Sequence, residues 1–205
     1  DAAGIRPGSK EGRRILFVGR NFVRKGGPLV VQAFTILRKK YLWSAELYLA
    51  GAKESDIRDA LRERQIRVEE VDWQKIHLLG DLGSEKLTDY YNLCDVFCMP
   101  SYFEAYGLVF AEALTYGLPC IGRDKFAMSE FIEDGCTGRL ISGEDAEELA
   151  LDLWEVLQDP KYREEVERRR EWYLREYSWD KVAQRICSVM EKNERDKDQY
   201  RSAGV

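Results

Sequence analysis

One histidine, His77, occurs in 205 residues. A histidine-rich metal centre, or a Ser-His-Asp triad completed within this chain, therefore has little to draw on. The five cysteines (Cys94, Cys98, Cys120, Cys136, Cys187) are odd in number. Cys94 and Cys98 stand four apart with no second pair, which is not a zinc spacing. Most lie within apolar runs, as small buried thiols of a reducing cytosol do. No stretch approaches the ~18 apolar residues of a membrane span, and Asp1–Lys10 lacks the apolar core of a secretory signal. Positive charge is not in surplus: 32 basic against 37 acidic residues give a net charge of −5 and a pI near 5.2. The chain as a whole repels nucleic acid, and any anion site has to be built locally. No acidic cluster suits Mg2+. What is present is core material. A hydrophobic share of 44% excludes a disordered chain and a disulfide-stapled mini-protein, and fits one domain.

The first thirteen residues, rich in Gly, Pro and charge, read as an incoming linker. Strand-length apolar runs follow at Arg14–Gly19, Ala45–Gly51, Ile76–Gly80, Asp95–Pro100, Leu118–Gly122 and Gly138–Ser142. Helical spacings alternate with them: Val30, Ala33, Phe34, Leu37 and Tyr41, then a short helix entered from Ser55, then Ser84–Asn92 and Gly107–Tyr116. Apolar strands alternating with helices predict a parallel sheet of about six strands covered by helices on both faces, a Rossmann-like α/β fold. Beyond Ser142 the pattern is helical only, with Ser142–Asp145 as a capping box and Lys161–Glu176 as a charge-balanced, solvated helix. The domain spans 14–190, and 191–205 reads as a polar tail.

Ligands of open parallel sheets bind beyond the carboxyl ends of the strands. After the first strand, Arg20 and Lys25 flank a tight loop ending in Gly26-Gly27. This is neither a dinucleotide fingerprint nor a P-loop, yet two cations on such a loop can hold a diphosphate by side-chain charge. After the fourth strand, Glu104 precedes a helix in which Glu112 is the one polar residue from Gly107 to Leu114. A carboxylate in such company is costly unless hydrogen-bonded. Eight helical residues span roughly 12 Å. That distance suits one carboxylate near a sugar and another near a ribose, with a diphosphate between them at the helix N-terminus, facing the amides of Gly107 and Leu108.

The pattern Pro100-Ser-x-x-Glu104-x-Tyr-Gly107-Leu108-x-x-x-Glu112-Ala resembles the retaining glycosyltransferases of family 4. So do Gly19-Arg20…Lys25-Gly26, the Asp95 strand, and Gly117-Leu-Pro119…Glu130…Asp134-Gly135-x-x-Gly138. The resemblance covers about residues 14–190 in order. It implies one half of a GT-B enzyme, the C-terminal, nucleotide-sugar-binding half, whose N-terminal acceptor-binding half is not in this chain. Arg20 and Lys25 would meet the donor diphosphate, Glu112 the ribose, Glu104 the sugar near the transferred carbon, Gly107 and Leu108 the phosphates or sugar, and Gly80 the base. Arg20, Lys25 and Glu104 would form the catalytic set. The donor would be a UDP-, GDP- or ADP-linked sugar, with no other cofactor. The implied setting is cytoplasmic, with any membrane attachment supplied by the missing half. The chain departs from the family at Phe126-Ala127, where members often carry a Gly-Gly pair with more backbone freedom. The sugar is therefore left open.

Rival readings are a non-catalytic nucleotide-sugar-binding module and a sugar-nucleotide epimerase on the same scaffold. A signalling receiver needs clustered acids where strand one delivers Arg20. A glycoside hydrolase needs both carboxylates flanking one bond, whereas here one would hold a ribose.

Overall fold

The computed structural model describes residues 13–202, with side chains to residue 190. All but one residue of the linker expected over 1–13 lies outside the described residues. Six strands form one wholly parallel sheet: β1 (Arg14–Val18), β2 (Glu46–Ala50), β3 (Ile76–Gly80), β4 (Val96–Cys98), β5 (Cys120–Arg123) and β6 (Gly138–Ile141), in the order β3-β2-β1-β4-β5-β6. Ile15, Leu16 and Phe17 of β1 and Val96, Phe97 and Cys98 of β4 are all fully buried. That is why these strands are apolar without alternation: helices cover both faces.

The helices are α1 (Gly27–Lys40), α2 (Glu54–Glu63), α3 (Ser84–Leu93), α4 (Leu108–Thr115), α5 (Met128–Phe131), α6 (Ala146–Gln158), α7 (Lys161–Glu176) and α8 (Trp179–Ser202). α1 packs on α6, and α6 on β4 and β6; α3 packs on β1, and α4 on β5 and α7. α7 buries Tyr162, Val166 and Tyr173, while its Arg163 reaches Asp95 at 3.4 Å and its Arg170 donates to the Thr115 carbonyl at 2.8 Å. Its charges thus tether it as well as solvate it. The lone His77 sits on β3, stacked on Tyr48 at 4.3 Å and 3.3 Å from Glu46 Oε2. Cys94, Cys98 and Cys120 are buried, with thiol pKa values pushed up by that burial, whereas Cys136 is half-buried and Cys187 exposed.

Several boundaries differ from the sequence reading, each for a local reason. β5 begins at Cys120 because the preceding residues cap α4. Gly117, at φ +79°, donates to Leu114 O and Leu118 to Ala113 O, a Schellman closure. β4 starts after Asp95, whose carboxylate accepts from the Arg14 amide at 2.9 Å. Ser55 does not cap α2; Lys53 is the N-cap, and the Ser55 hydroxyl bonds Asp56. The Ser142–Asp145 capping box is replaced by Asp145 itself as N-cap, accepting from the Glu147 amide at 2.8 Å. α5 and two 3-10 turns, Val68–Glu70 and Trp73–Lys75, carry too few residues for periodicity to reveal. α8 continues helical to Ser202, through the segment read as a tail.

The chain reverses direction across the sheet between β1 and β4, opening a crevice at their carboxyl ends. Gly26, the N-cap of α1, lies there at φ +79°, and a methyl at its Cα would stand 2.4 Å from Pro100 O. Gly26→Ala should therefore lower stability by roughly 2 kcal/mol or more. Gly83→Ala, whose added methyl meets nothing within 4 Å, should change it by less than about 0.5 kcal/mol. Urea unfolding of the two variants measures both.

Candidate functional site

Two loops border the crevice. The first, between β1 and α1, is anchored by Phe22, which is buried against Phe17 with ring centroids 5.7 Å apart. Asn21 accepts from the Arg24 amide through its side chain and from the Lys25 amide through its carbonyl, both at 3.0 Å. This folding turns Lys25 toward the second loop, between β4 and α4. The loops are stitched together where the Tyr102 amide donates to Arg24 O at 2.9 Å and Arg24 Nη1 donates to Phe103 O at 2.8 Å.

Across that seam Lys25 Nζ donates to Glu104 Oε2, with side chains only 14% and 12% exposed. The structure thus brings together two of the expected residues as a nearly buried ion pair. Such a pair recovers its desolvation cost only with good geometry, and removing one partner strands the other. Gly107 makes room for it: a Cβ there would stand 3.1 Å from Glu104 Cγ, and at φ +82° it is the N-cap of α4. The amides of Gly107 and Leu108 lie at the helix start, where N–H groups lack intrahelical acceptors.

Arg20 does not join this pair. Its side chain is 84% exposed and its Nε lies 3.2 Å from Asp81 Oδ1, beyond β3. An ion pair so exposed holds the guanidinium weakly. Gly80, next to Asp81, takes φ +63°, with open space where a side chain would be.

Glu112 is not the buried carboxylate its apolar neighbours suggest. It is exposed, because α4 turns Phe110, Ala111, Ala113 and Leu114 inward and leaves Leu108 and Glu112, four residues apart, on an uncovered stripe. Its Oε2 accepts from the Tyr91 hydroxyl at 2.9 Å. Tyr91 is buried on α3 and stacked on Tyr116 at 5.4 Å. Burial first, and the Glu112 charge second, push the phenol pKa well above its usual value and keep it a proton donor. Tyr91 was not expected, and nothing in its sequence neighbourhood marks it.

Arg123 was also missed. It is buried at the end of β5, its Nη1 donating to Gly143 O at 2.7 Å and its Nη2 to Pro100 O at 3.4 Å. Its guanidinium lies 4.7 Å from the Tyr102 ring centroid, and that of Arg64 lies 5.2 Å from the same ring. It clamps the start of the loop that carries Glu104. Beyond it, Phe126 takes a left-handed backbone at φ +55° despite its side chain. Its neighbour Ala127 keeps ordinary helical angles. Among the described residues no group of three or more His, Cys, Asp or Glu side chains is placed to hold a metal ion. No described helix is long and apolar enough to cross a membrane.

The family model described as glycosyl transferases group 1 matches residues 6–172. The chain belongs to this family. Among its relatives is an uncharacterized glycosyltransferase of Methanocaldococcus jannaschii, 28% identical over 180 residues, which are 86% of this chain and 44% of that protein. A phosphatidyl-myo-inositol mannosyltransferase of Mycolicibacterium smegmatis is 28% identical over 184 residues, 89% of this chain and 46% of that one. Among solved structures, sucrose-phosphate synthase of Thermosynechococcus elongatus superposes with a TM-score of 0.74 at 25% identity, over 90% of this chain and 46% of that one. Anabaena HepE in complex with UDP and glucose gives 0.74 at 18% identity, over 88% and 48%. The chain spans less than half the length of these relatives. Its fold is consistent with one half of a GT-B enzyme.

Within this group 1 domain every expected site residue, from Arg20 to Glu112, falls inside the matched span. Arg123 falls there too. Arg123→Met should lower stability by about 2 kcal/mol, since the buried Pro100 carbonyl and the half-buried Gly143 carbonyl lose a charged donor. Arg123→Lys should recover only part of it, lacking the planar fork. Thermal and urea unfolding, with limited proteolysis of the 100–107 loop as a local probe, test this.

Proposed function

We propose that residues 14–190 form the C-terminal, donor-binding half of a retaining GT-B glycosyltransferase, with 191–205 a polar extension. In this reading an N-terminal acceptor-binding half completes the enzyme. The donor is a sugar linked to UDP, GDP or ADP. The observation that carries the proposal is the Lys25–Glu104 pair, set nearly buried at the point where the strand order reverses. A cation and a carboxylate held in contact there are poised to be parted by a ligand that needs both. Family membership and the HepE complex with UDP and glucose support the choice of ligand.

A bound donor would draw Lys25 Nζ onto a diphosphate oxygen, and Arg20, tied only to an exposed Asp81, would swing onto the same group. Glu104, released from Lys25, would accept from a sugar hydroxyl near the transferred carbon. The amides of Gly107 and Leu108 would donate to the phosphates or sugar. Glu112, oriented by Tyr91, would accept from the ribose hydroxyls, and Gly80 would leave its open backbone beside the base. In the transfer step the bond from the anomeric carbon to the diphosphate oxygen breaks. The acceptor oxygen bonds that carbon on the same face, and the acceptor proton passes to the departing diphosphate. Arg20 and Lys25 stabilise the charge that grows there.

Calorimetric titration with UDP-, GDP- and ADP-sugars tests donor binding; an assay of the longer parent for transferred sugar against epimerised donor separates transferase from epimerase or a non-catalytic binder. Hydrogen bonds to charged groups contribute roughly 1.5–3 kcal/mol. Lys25→Ala should thus weaken nucleoside diphosphate binding about tenfold or more, with nucleoside binding little changed. Equal loss for both would place Lys25 in the fold rather than on the diphosphate.

If Glu112 accepts from the ribose, a 2′-deoxynucleotide should bind more weakly than the matched ribonucleotide. Sites built around such hydrogen bonds reject ligands that lack them. Glu112→Gln should narrow the gap. Equal affinities in the unaltered chain would remove Glu112 from the ribose.

A further inference from the structure

Phe126 is costly where it stands. A bulky residue at φ +55° occupies a region that L side chains avoid, at an expense its half-exposed ring does not recover by its own burial. The ring is 51% exposed and packs edge-to-face on Phe103, itself 51% exposed, with centroids 5.1 Å apart. Phe103 is fixed in turn: its carbonyl is gripped by Arg24, and the next residue is Glu104. A rigid, half-open aromatic pair therefore stands beside the Lys25–Glu104 contact.

Sheet order says what this pair can meet. Gly80 ends β3 and Phe126 follows β5, so the two lie on opposite sides of the loops after β1 and β4 that carry Lys25 and Glu104. A diphosphate at Lys25 with its base toward Gly80 extends its other end toward Phe126. The group needed there has an apolar face for the rings and a hydroxylated rim for the adjacent carboxylate. A pyranose has both, its axial C–H bonds forming the face and its equatorial hydroxyls the rim.

We propose that Phe126 and Phe103 form an aromatic wall that packs against the C–H face of the donor's pyranose and helps select the sugar. This rests on the donor-binding reading above. The rings replace, with a side-chain surface, whatever closer backbone approach a glycine would permit at a left-handed position.

Calorimetric titration of UDP, GDP and ADP and of their glucose conjugates against the 205-residue chain tests it, alongside Phe126→Gly and Phe126→Tyr. Glycine adopts the left-handed backbone freely, so Phe126→Gly should unfold at or above the midpoint of the unaltered chain. It should nevertheless lose about fivefold or more in affinity for the nucleotide-glucose, with affinity for the nucleoside diphosphate unchanged. Phe126→Tyr, which keeps the ring, should retain the preference. An unchanged ratio of the two affinities in Phe126→Gly would overturn the wall while leaving donor binding intact. A parallel fall for diphosphate and conjugate would also overturn it, by placing the rings on the base. Failure of the unaltered chain to bind any of the six ligands would overturn the donor-binding reading itself, and the wall with it.

Discussion

The contact between Lys25 and Glu104 is the constraint that orders this end of the molecule. An ammonium and a carboxylate withdrawn from water lose several kcal/mol of hydration each, which their attraction offsets only when they are held close. Holding them close requires the loops after β1 and β4 to run side by side. Several features at the carboxyl edge of the sheet serve that proximity. Gly26 lets backbone pass against Pro100, and Phe22 fixes the first loop from beneath. Arg24 and Tyr102 join the two loops by main chain, and Arg123 grips Pro100 from the far side. The pair is thus an outcome of the packing and, once formed, a penalty on any packing that would separate its members without a substitute.

Charge elsewhere is arranged so that this local cation is not overwhelmed. The chain is net negative, yet many of its described acids are spent on neighbours. Asp95 holds the Arg14 amide and Arg163, Asp152 meets Arg139, and Glu165 lies between Arg168 and Arg169. Asp152 shows the limit of such pairing: burial raises its pKa to about 6, although Arg139 acts in the opposite sense. Arg20 is in the opposite situation. Its pair with Asp81 is exposed and weak, so the guanidinium is free to move at small cost.

The fold was legible wherever burial on two faces left its mark on composition. β3 and α7 coincide with their sequence boundaries, and the other strands agree to within a few residues, because an apolar run or a helical period records burial directly. What periodicity does not record is the exchange of hydrogen bonds at ends. The closure at Gly117 and Leu118 took two residues from β5, and the Asp95 side chain took one from β4. The exposure of Glu112 is hidden in the sequence for a related reason. Apolar neighbours along a helix signal burial only on the stripe that faces the core, and Leu108 and Glu112 lie on the other one. Tyr91 and Arg123 were not legible at all. Each acts through a partner remote in sequence, a carboxylate on α4 and a carbonyl after β4, and nothing local encodes such meetings.

Leu108, Phe103, Tyr106 and Phe126 are each about half exposed, and all four belong to loops or helix starts that leave the carboxyl ends of β4 and β5. The strands beneath them are packed without exposed apolar surface. A chain able to bury Ile15 through Phe17 completely is not short of means to cover four more side chains. Leaving them open on one edge, beside a nearly buried ion pair and a residue in a left-handed conformation, gives up local stability there. The rigid sheet below makes that concession tolerable: the loops are free to be shaped for what they meet because their ends are already fixed by strands that need nothing from them.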